Sequence, residues 1–274
     1  MSPAKGPAAA AEAAADAAID LASRALRLPT IRDRCAEFAD AAAREHASYR
    51  AFLAALLTAE CDDRDTRRRA RRVTAANFPR QKRIEDFDFS ANPNITPALI
   101  GQLSTGDWVS AGQPLCLIGD SGTGKTHLIT ALGTAAAEAG HRVRYVTAAA
   151  LVNELVEAAD DRQLSKTIAR YGRVDLLCCD ELGYLELDRR GAELLFQVFT
   201  EREERASVAI AANAPFSEWT RTFTDTRLCA AIIDRLTFDA HIINTGTDSY
   251  RLAHTRARRS RATGANSNRH GGAS

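Results

Sequence analysis

The stretch from Pro114 to Leu128, PLCLIGDSGTGKTHL, decides how the rest of the chain is read. Leu115, Cys116, Leu117 and Ile118 form a continuous apolar run, the pattern of a strand buried on both faces. Gly119, Asp120, Ser121, Gly122, Thr123, Gly124, Lys125 and Thr126 follow at once and match G-x-x-x-x-G-K-[ST], the phosphate-binding P-loop. A triphosphate needs several backbone N–H groups aimed at one place, and Gly122 and Gly124 let the backbone turn and come close. Lys125 is placed to reach the β- and γ-phosphates and Thr126 to ligate Mg²⁺. The helix read from His127 to Ala139 adds the positive end of its dipole. Asp120, beside an anion, must aim away or meet a cation.

Downstream, strands and helices alternate. Arg142–Thr147 reads as a strand, Ala148–Ala159 and Gln163–Tyr171 as helices, and Val174–Cys179 as an apolar strand ending in Asp180 and Glu181. A helix over Arg189–Arg205 precedes the strand Ser207–Ala212, which ends at Asn213. Such alternation implies an α/β fold, a parallel sheet with helices on both faces and right-handed crossovers. Its active site belongs at the carboxyl ends of the strands, where Gly119, Asp180 and Asn213 emerge. Asp180 then orients Mg²⁺, Glu181 polarises the attacking water, and Asn213 sits between that water and the γ-phosphate. A helix from Arg227 closes with Asp234, Arg235 and Leu236, and Arg251 lies beyond a strand at His241–Asn244. Arg235 is the candidate finger toward a neighbouring subunit's nucleotide and Arg251 a second phosphate contact within the same subunit.

Upstream, residues 1–25 are alanine-rich, a fraying helix or an unstructured leader. Leu28, Ile31, Cys35, Phe38 and Ala42 mark one apolar helical face, and Tyr49, Phe52, Leu53, Leu56 and Leu57 a second. Arg64, Arg67, Arg68, Arg69, Arg71 and Arg72 then crowd one helical segment, with Arg80, Lys82 and Arg83 beyond Pro79. This density suits the phosphate backbone of a polyanion, bound by counterion release without sequence preference, which the resemblance given below makes double-stranded DNA; the other reading is a solvated face partly balanced by Asp62, Asp63 and Asp65. Ile84–Pro97, with Phe87 and Phe89, reads as a linker docking an aromatic pair on the next domain, and Ala98–Trp108 as one short helix. The organisation is a leader over 1–25, a helical DNA- and partner-binding domain over 26–83, an ATPase domain over 84–252 and a basic, disordered tail over 253–274.

With 36 basic and 35 acidic residues among 274, attraction to nucleic acid must come from local clusters. The six cysteines show no C-x-x-C pair, which points to a reducing cytoplasm, and no stretch approaches a membrane span.

GDSGTGKTHL, CDELGYLELDRRGAELLFQ, NAPFSEW, IIDRLTFDAHIINTGTDSYRL and the upstream EDFDFS together resemble the IstB-like ATPases. These are transposition helper proteins related to the DnaC helicase loaders and, more distantly, to DnaA within the AAA+ class. The resemblance runs from about Leu26 to Leu252. It implies a P-loop ATPase using ATP and Mg²⁺ that forms a homo-oligomer on target DNA, deforms it, and recruits a partner transposase of the IstA type. Lys125 and Thr126 then correspond to Walker A, Asp180 and Glu181 to Walker B, Asn213 to sensor 1, Arg235 to the arginine finger and Arg251 to the sensor 2 region. Two departures stand out. Ala211 and Ala212 precede Asn213 where relatives often carry Ser or Thr, and the tail with Arg256, Arg258, Arg259 and Arg261 lies outside the resemblance. A helicase loader on the same fold and a non-catalytic architectural DNA-binding protein are the alternatives.

Overall fold

The computed structural model describes residues 7–184 and 186–250. The chain divides at Ala70/Arg71 into two compact units.

The first unit is helical. α1 (Pro7–Leu26) is a regular helix over the leader, as its alanine content favours. α2 (Pro29–Arg44) follows, and α3 (Tyr49–Ala75) begins here. Leu28, at the N-cap of α2, offers no side-chain cap. Glu60 of α3 supplies it: its Oε2 accepts from the backbone N–H groups of Thr30 and Ile31 at 2.8 and 3.1 Å. A buried carboxylate thus satisfies donors that the first helical turn leaves open and complements its dipole. The second apolar face is covered only in part: Leu56 is buried, while Tyr49 is 93% exposed and Leu53 and Leu57 are also exposed.

The second unit carries a five-stranded parallel sheet in the order β2-β3-β4-β1-β5. Its elements are α4 (Pro97–Leu103), α5 (Asp107–Ser110), β1 (Leu115–Gly119), α6 (Lys125–Ala139), β2 (Val143–Thr147), α7 (Ala148–Asp160), α8 (Leu164–Gly172), β3 (Leu176–Leu182), α9 (Arg189–Arg202), β4 (Ser207–Ala212), α10 (Thr226–Thr237) and β5 (His241–Gly246). The single helix expected over Ala98–Trp108 is two, because the chain turns at Ser104–Gly106, where the Trp108 indole N–H returns to the Leu103 carbonyl.

β1 is buried on both faces, as its apolar run predicts. Leu115 and Leu117 join the core cluster of Leu128, Ile129 and Leu132 from α6; Cys116 and Ile118 join that of Leu151, Leu195, Val198 and Ile232 from α7, α9 and α10. Burial pushes the Cys116 and Cys179 thiols up to about 12, so they stay protonated and pack as small apolar groups.

The segment after α3 belongs to this second unit. Val73, Ala76, Phe78, Ile84, Phe87 and Phe89 pack in or against the cluster on the α6 side, and the Ala76 carbonyl accepts from Tyr145 N–H at the edge of β2. The division therefore falls inside α3 rather than at 83/84, because these apolar side chains are drawn onto the sheet.

Candidate active site

The P-loop is tied down from behind. Lys125, 6% exposed, donates its ammonium to the carbonyls of Gly119 and Asp120, both at 2.6 Å. The Thr123 hydroxyl donates to the Asp120 carbonyl and lies 2.6 Å from that of Thr245 on β5. Buried Asn92 fastens the P-loop to β5, its amide donating to the carbonyls of Thr123 and Thr245 at 2.9 Å each. Gly122 and Gly124 have φ of +88 and +100°. A Cβ on either would meet Ser249 or the Phe87 ring at under 3 Å, so nothing larger fits. Asp120 is exposed and makes no ion pair among the described residues.

β3 runs on through the acidic pair to Leu182. Cys179 pairs with Ile210 and Leu182 with Ala212, so β3 spends three steps where β4 spends two, and the extra residue forms a bulge. Glu181 sits in that bulge at φ +59°, a left-handed conformation that costs a residue with a Cβ on the order of 1 kcal/mol or more. The bulge leaves Leu182 buried and Glu181 exposed where strand ends converge. Half-buried Asn213 follows Ala212, which is in register with both Ile118 and Leu182. Gly119, Glu181 and Asn213 thus come together at one end of three neighbouring strands.

Asp180 is 2% exposed. Its Oδ2 accepts from the Tyr145 hydroxyl and its Oδ1 from the Glu181 N–H, both at 2.8 Å, and no basic side chain pairs with it among the described residues. Burial and the facing Asp180 carboxylate raise the Tyr145 phenol above its usual range, so it keeps its proton and donates. The buried Asp180 carboxylate near the end of β3 and the Thr126 hydroxyl at the start of α6 are hard oxygen donors. With substrate phosphates and water they fit Mg²⁺, which uses one or two carboxylates rather than a full protein cage. No group of three His, Cys, Asp or Glu side chains forms a metal cluster among the described residues.

Other expected site residues lie elsewhere. The His127 ring turns to the linker, its Nε2 2.8 Å from the Arg83 carbonyl and its ring 5.3 Å from that of Phe87. Arg235 lines a cleft of about 140 Å³ with Gly112–Pro114, at the amino end of β1 and opposite the P-loop. Its guanidinium stacks 4.5 Å from the Phe196 ring, and its Nε lies 2.9 Å from a Glu203 carboxylate oxygen in an ion pair that lacks hydrogen-bond alignment. That position faces away from its own P-loop. Arg251 and the basic tail lie outside the described residues.

The arginine run divides by partner. Arg64 and Arg67 both turn to Glu60 Oε1, at 3.4 and 3.3 Å; Arg68 pairs with Asp65 and Arg83 with Glu138. Arg69, Arg71, Arg72, Arg80 and Lys82 make no ion pair among the described residues. The balance expected from Asp62, Asp63 and Asp65 therefore comes chiefly from Glu60, because that carboxylate is already buried at the start of α2.

Sequence reasoning missed Asn92 and Tyr145. Asn92 stands before Pro93 in a linker and reads as a turn residue, and Tyr145 lies in the alternating VRYVT and reads as core. Each could have been found only from a buried polar group's need for a partner.

Residues 21–258 match the family described as IstB-like ATP binding protein. The chain is 38% identical over 227 residues to an insertion sequence ATP-binding protein of Sinorhizobium fredii, covering 82% of this chain and 76% of that one. It is 34% identical to the insertion sequence IS5376 ATP-binding protein of Geobacillus stearothermophilus, covering 84% of this chain and 92% of the relative. Among solved structures, AMPPCP-bound DnaA from Aquifex aeolicus superposes with a TM-score of 0.52 at 21% identity, covering 62% of this chain and 51% of that one. DnaI superposes with 0.51 at 18% identity, covering 60% and 90%. These structural likenesses concern the fold alone, a parallel sheet carrying a P-loop.

Proposed function

The chain belongs to the family of IstB-like ATP-binding proteins, and on that premise we propose that it is an ATP-dependent helper of transposition, one that assembles on target DNA, remodels it, and recruits and stimulates a partner transposase of the IstA type. It is a P-loop ATPase. What supports the fuller reading most is the meeting of Lys125, Asp180, Glu181 and Asn213 at one end of the sheet, with Arg235 at the other. An arginine that faces away from its own P-loop can complete only a neighbour's site, so ATP bridges protomers and assembly depends on it.

Each residue has a task. Lys125 leaves the Gly119 and Asp120 carbonyls for the phosphates. Thr126 and Asp180 would hold Mg²⁺, whose charge would offset that developing on the phosphate oxygens. Glu181, exposed on its bulge and in no ion pair among the described residues, accepts the proton of the attacking water while Asn213 orients it. The arginines at the end of α3, with Arg80, Lys82 and Arg83, grip the DNA backbone, and hydrolysis loosens the assembly.

Sedimentation on duplex DNA tests this reading. A slowly hydrolysed ATP analogue should give DNA-bound oligomers that ADP does not support, and Arg235→Ala should bind the analogue yet fail to assemble. Monomers on DNA with either nucleotide would refute it.

A further inference from the structure

The geometry points to Tyr145 as a positioning residue for phosphoryl transfer, its hydroxyl holding the Asp180 carboxylate in the orientation that receives Mg²⁺. This rests on the reading that the site hydrolyses Mg²⁺-bound ATP. In the β2–β3 register Tyr145 faces Cys178, and Asp180 stands two residues further along the same face. A diagonal neighbour at that offset is within reach of a tyrosine but not of a shorter side chain. The phenol meets Oδ2 while the Glu181 N–H meets Oδ1, so both carboxylate oxygens are fixed and the group cannot rotate.

Tyr145 is itself immobilised. It is 7% exposed, its N–H donates to the Ala76 carbonyl at 2.8 Å, and its ring lies 6.0 Å from that of Phe78, which is seated against Gly133 of α6. A core role alone needs only the ring. The hydroxyl adds a buried polar group that must be satisfied, and Asp180 is the acceptor given to it. A side chain locked by packing that donates to a ligand carboxylate is how supporting shells set metal geometry.

Tyr145→Phe keeps the ring and removes the contact. Binding of a fluorescent, slowly hydrolysed ATP analogue is measured in EDTA and across a Mg²⁺ titration, together with turnover and thermal midpoint. We expect affinity in EDTA to stay near wild type, while half-saturating Mg²⁺ rises and kcat falls, each by roughly tenfold, with the KM for ATP little changed and the midpoint lowered only as loss of one buried hydrogen bond requires. In an Asp180→Asn background the same change should leave the Mg²⁺ dependence unaltered. Unchanged Mg²⁺ dependence and kcat in Tyr145→Phe would overturn the assignment. So would a parallel loss of EDTA affinity and stability, or an equal Mg²⁺ effect in the Asp180→Asn background. Lys125→Ala separates the premise from the inference: if that variant bound nucleotide like the wild type, the site itself would be misread, whatever Tyr145 does.

Discussion

The carboxyl end of the sheet and the arginine run of α3 are both dense in charged side chains, and they are held in opposite ways. At the sheet, partners come from strand register and from far along the chain. Asn92 joins Thr123 to Thr245, and Tyr145 reaches Asp180 across β2 and β3. Along α3, partners come from nearby in the same helix, chiefly from one buried carboxylate. Glu60 draws in Arg64 and Arg67, Asp65 takes Arg68, and Arg69, Arg71 and Arg72 meet no acid among the described residues. The difference teaches which charges are available for work. On the proposed reading, fixed side chains set the geometry of the sheet site, while in the helix a paired arginine is structural and one with no acid among the described residues is the candidate to meet a polyanion.

The sharpest way to break this contrast is to remove the exposed acid on the β3 bulge. Glu181→Gln should lower turnover by about 10²- to 10⁴-fold with ATP affinity near wild type, as loss of a general base requires. Normal steady-state phosphate release would remove Glu181 from that role. On the helix, Arg69, Arg71 and Arg72 changed together to Ala should weaken DNA binding on unrelated sequences and flatten the slope of log K against log salt by about 3. Arg64→Ala with Arg67→Ala should change that slope far less and cost stability instead. Equal slopes in the two variants would erase the distinction between paired and unpaired arginines.

Two smaller effects sharpen it. Glu60→Ala and Asn92→Ala should each cost about 1–3 kcal/mol in denaturant unfolding, because each leaves buried groups without a partner. Asn92→Ala should also weaken nucleotide binding, which Glu60→Ala should not. The smallest effect lies on the bulge. Glu181→Gly should relieve the positive φ and stabilise the protein by under about 1 kcal/mol, while abolishing turnover. A fall in thermal midpoint would show that the bulge is unstrained.

Much of the sheet end is legible in the sequence, because β1 is a continuous apolar run and the P-loop is local in the chain. The acids after Cys179 mark the strand that faces it. The bulge at Glu181 is not legible, since apolar Leu182 merely extends the run and only the pairing with Ala212 exposes the extra residue. Tyr145 and Asn92 are hidden for a related reason: each partner lies 31 or more residues away and is brought near by register. In α3 composition reveals the arginines but cannot sort them, because Glu60 lies outside the run and is fixed by the backbone of α2. The helix start at Thr226 with its Asp225 cap, by contrast, is written in neighbouring residues.

The central claim is that ATP is held at the ends of β1, β3 and β4 by Lys125. Calorimetric titration of the purified chain with ATP and Mg²⁺ tests it most directly. Saturable heat with one nucleotide per protomer is predicted, weakened in Lys125→Ala by about 2–5 kcal/mol of binding free energy. No heat from the wild-type chain, or the same isotherm from both proteins, would contradict it.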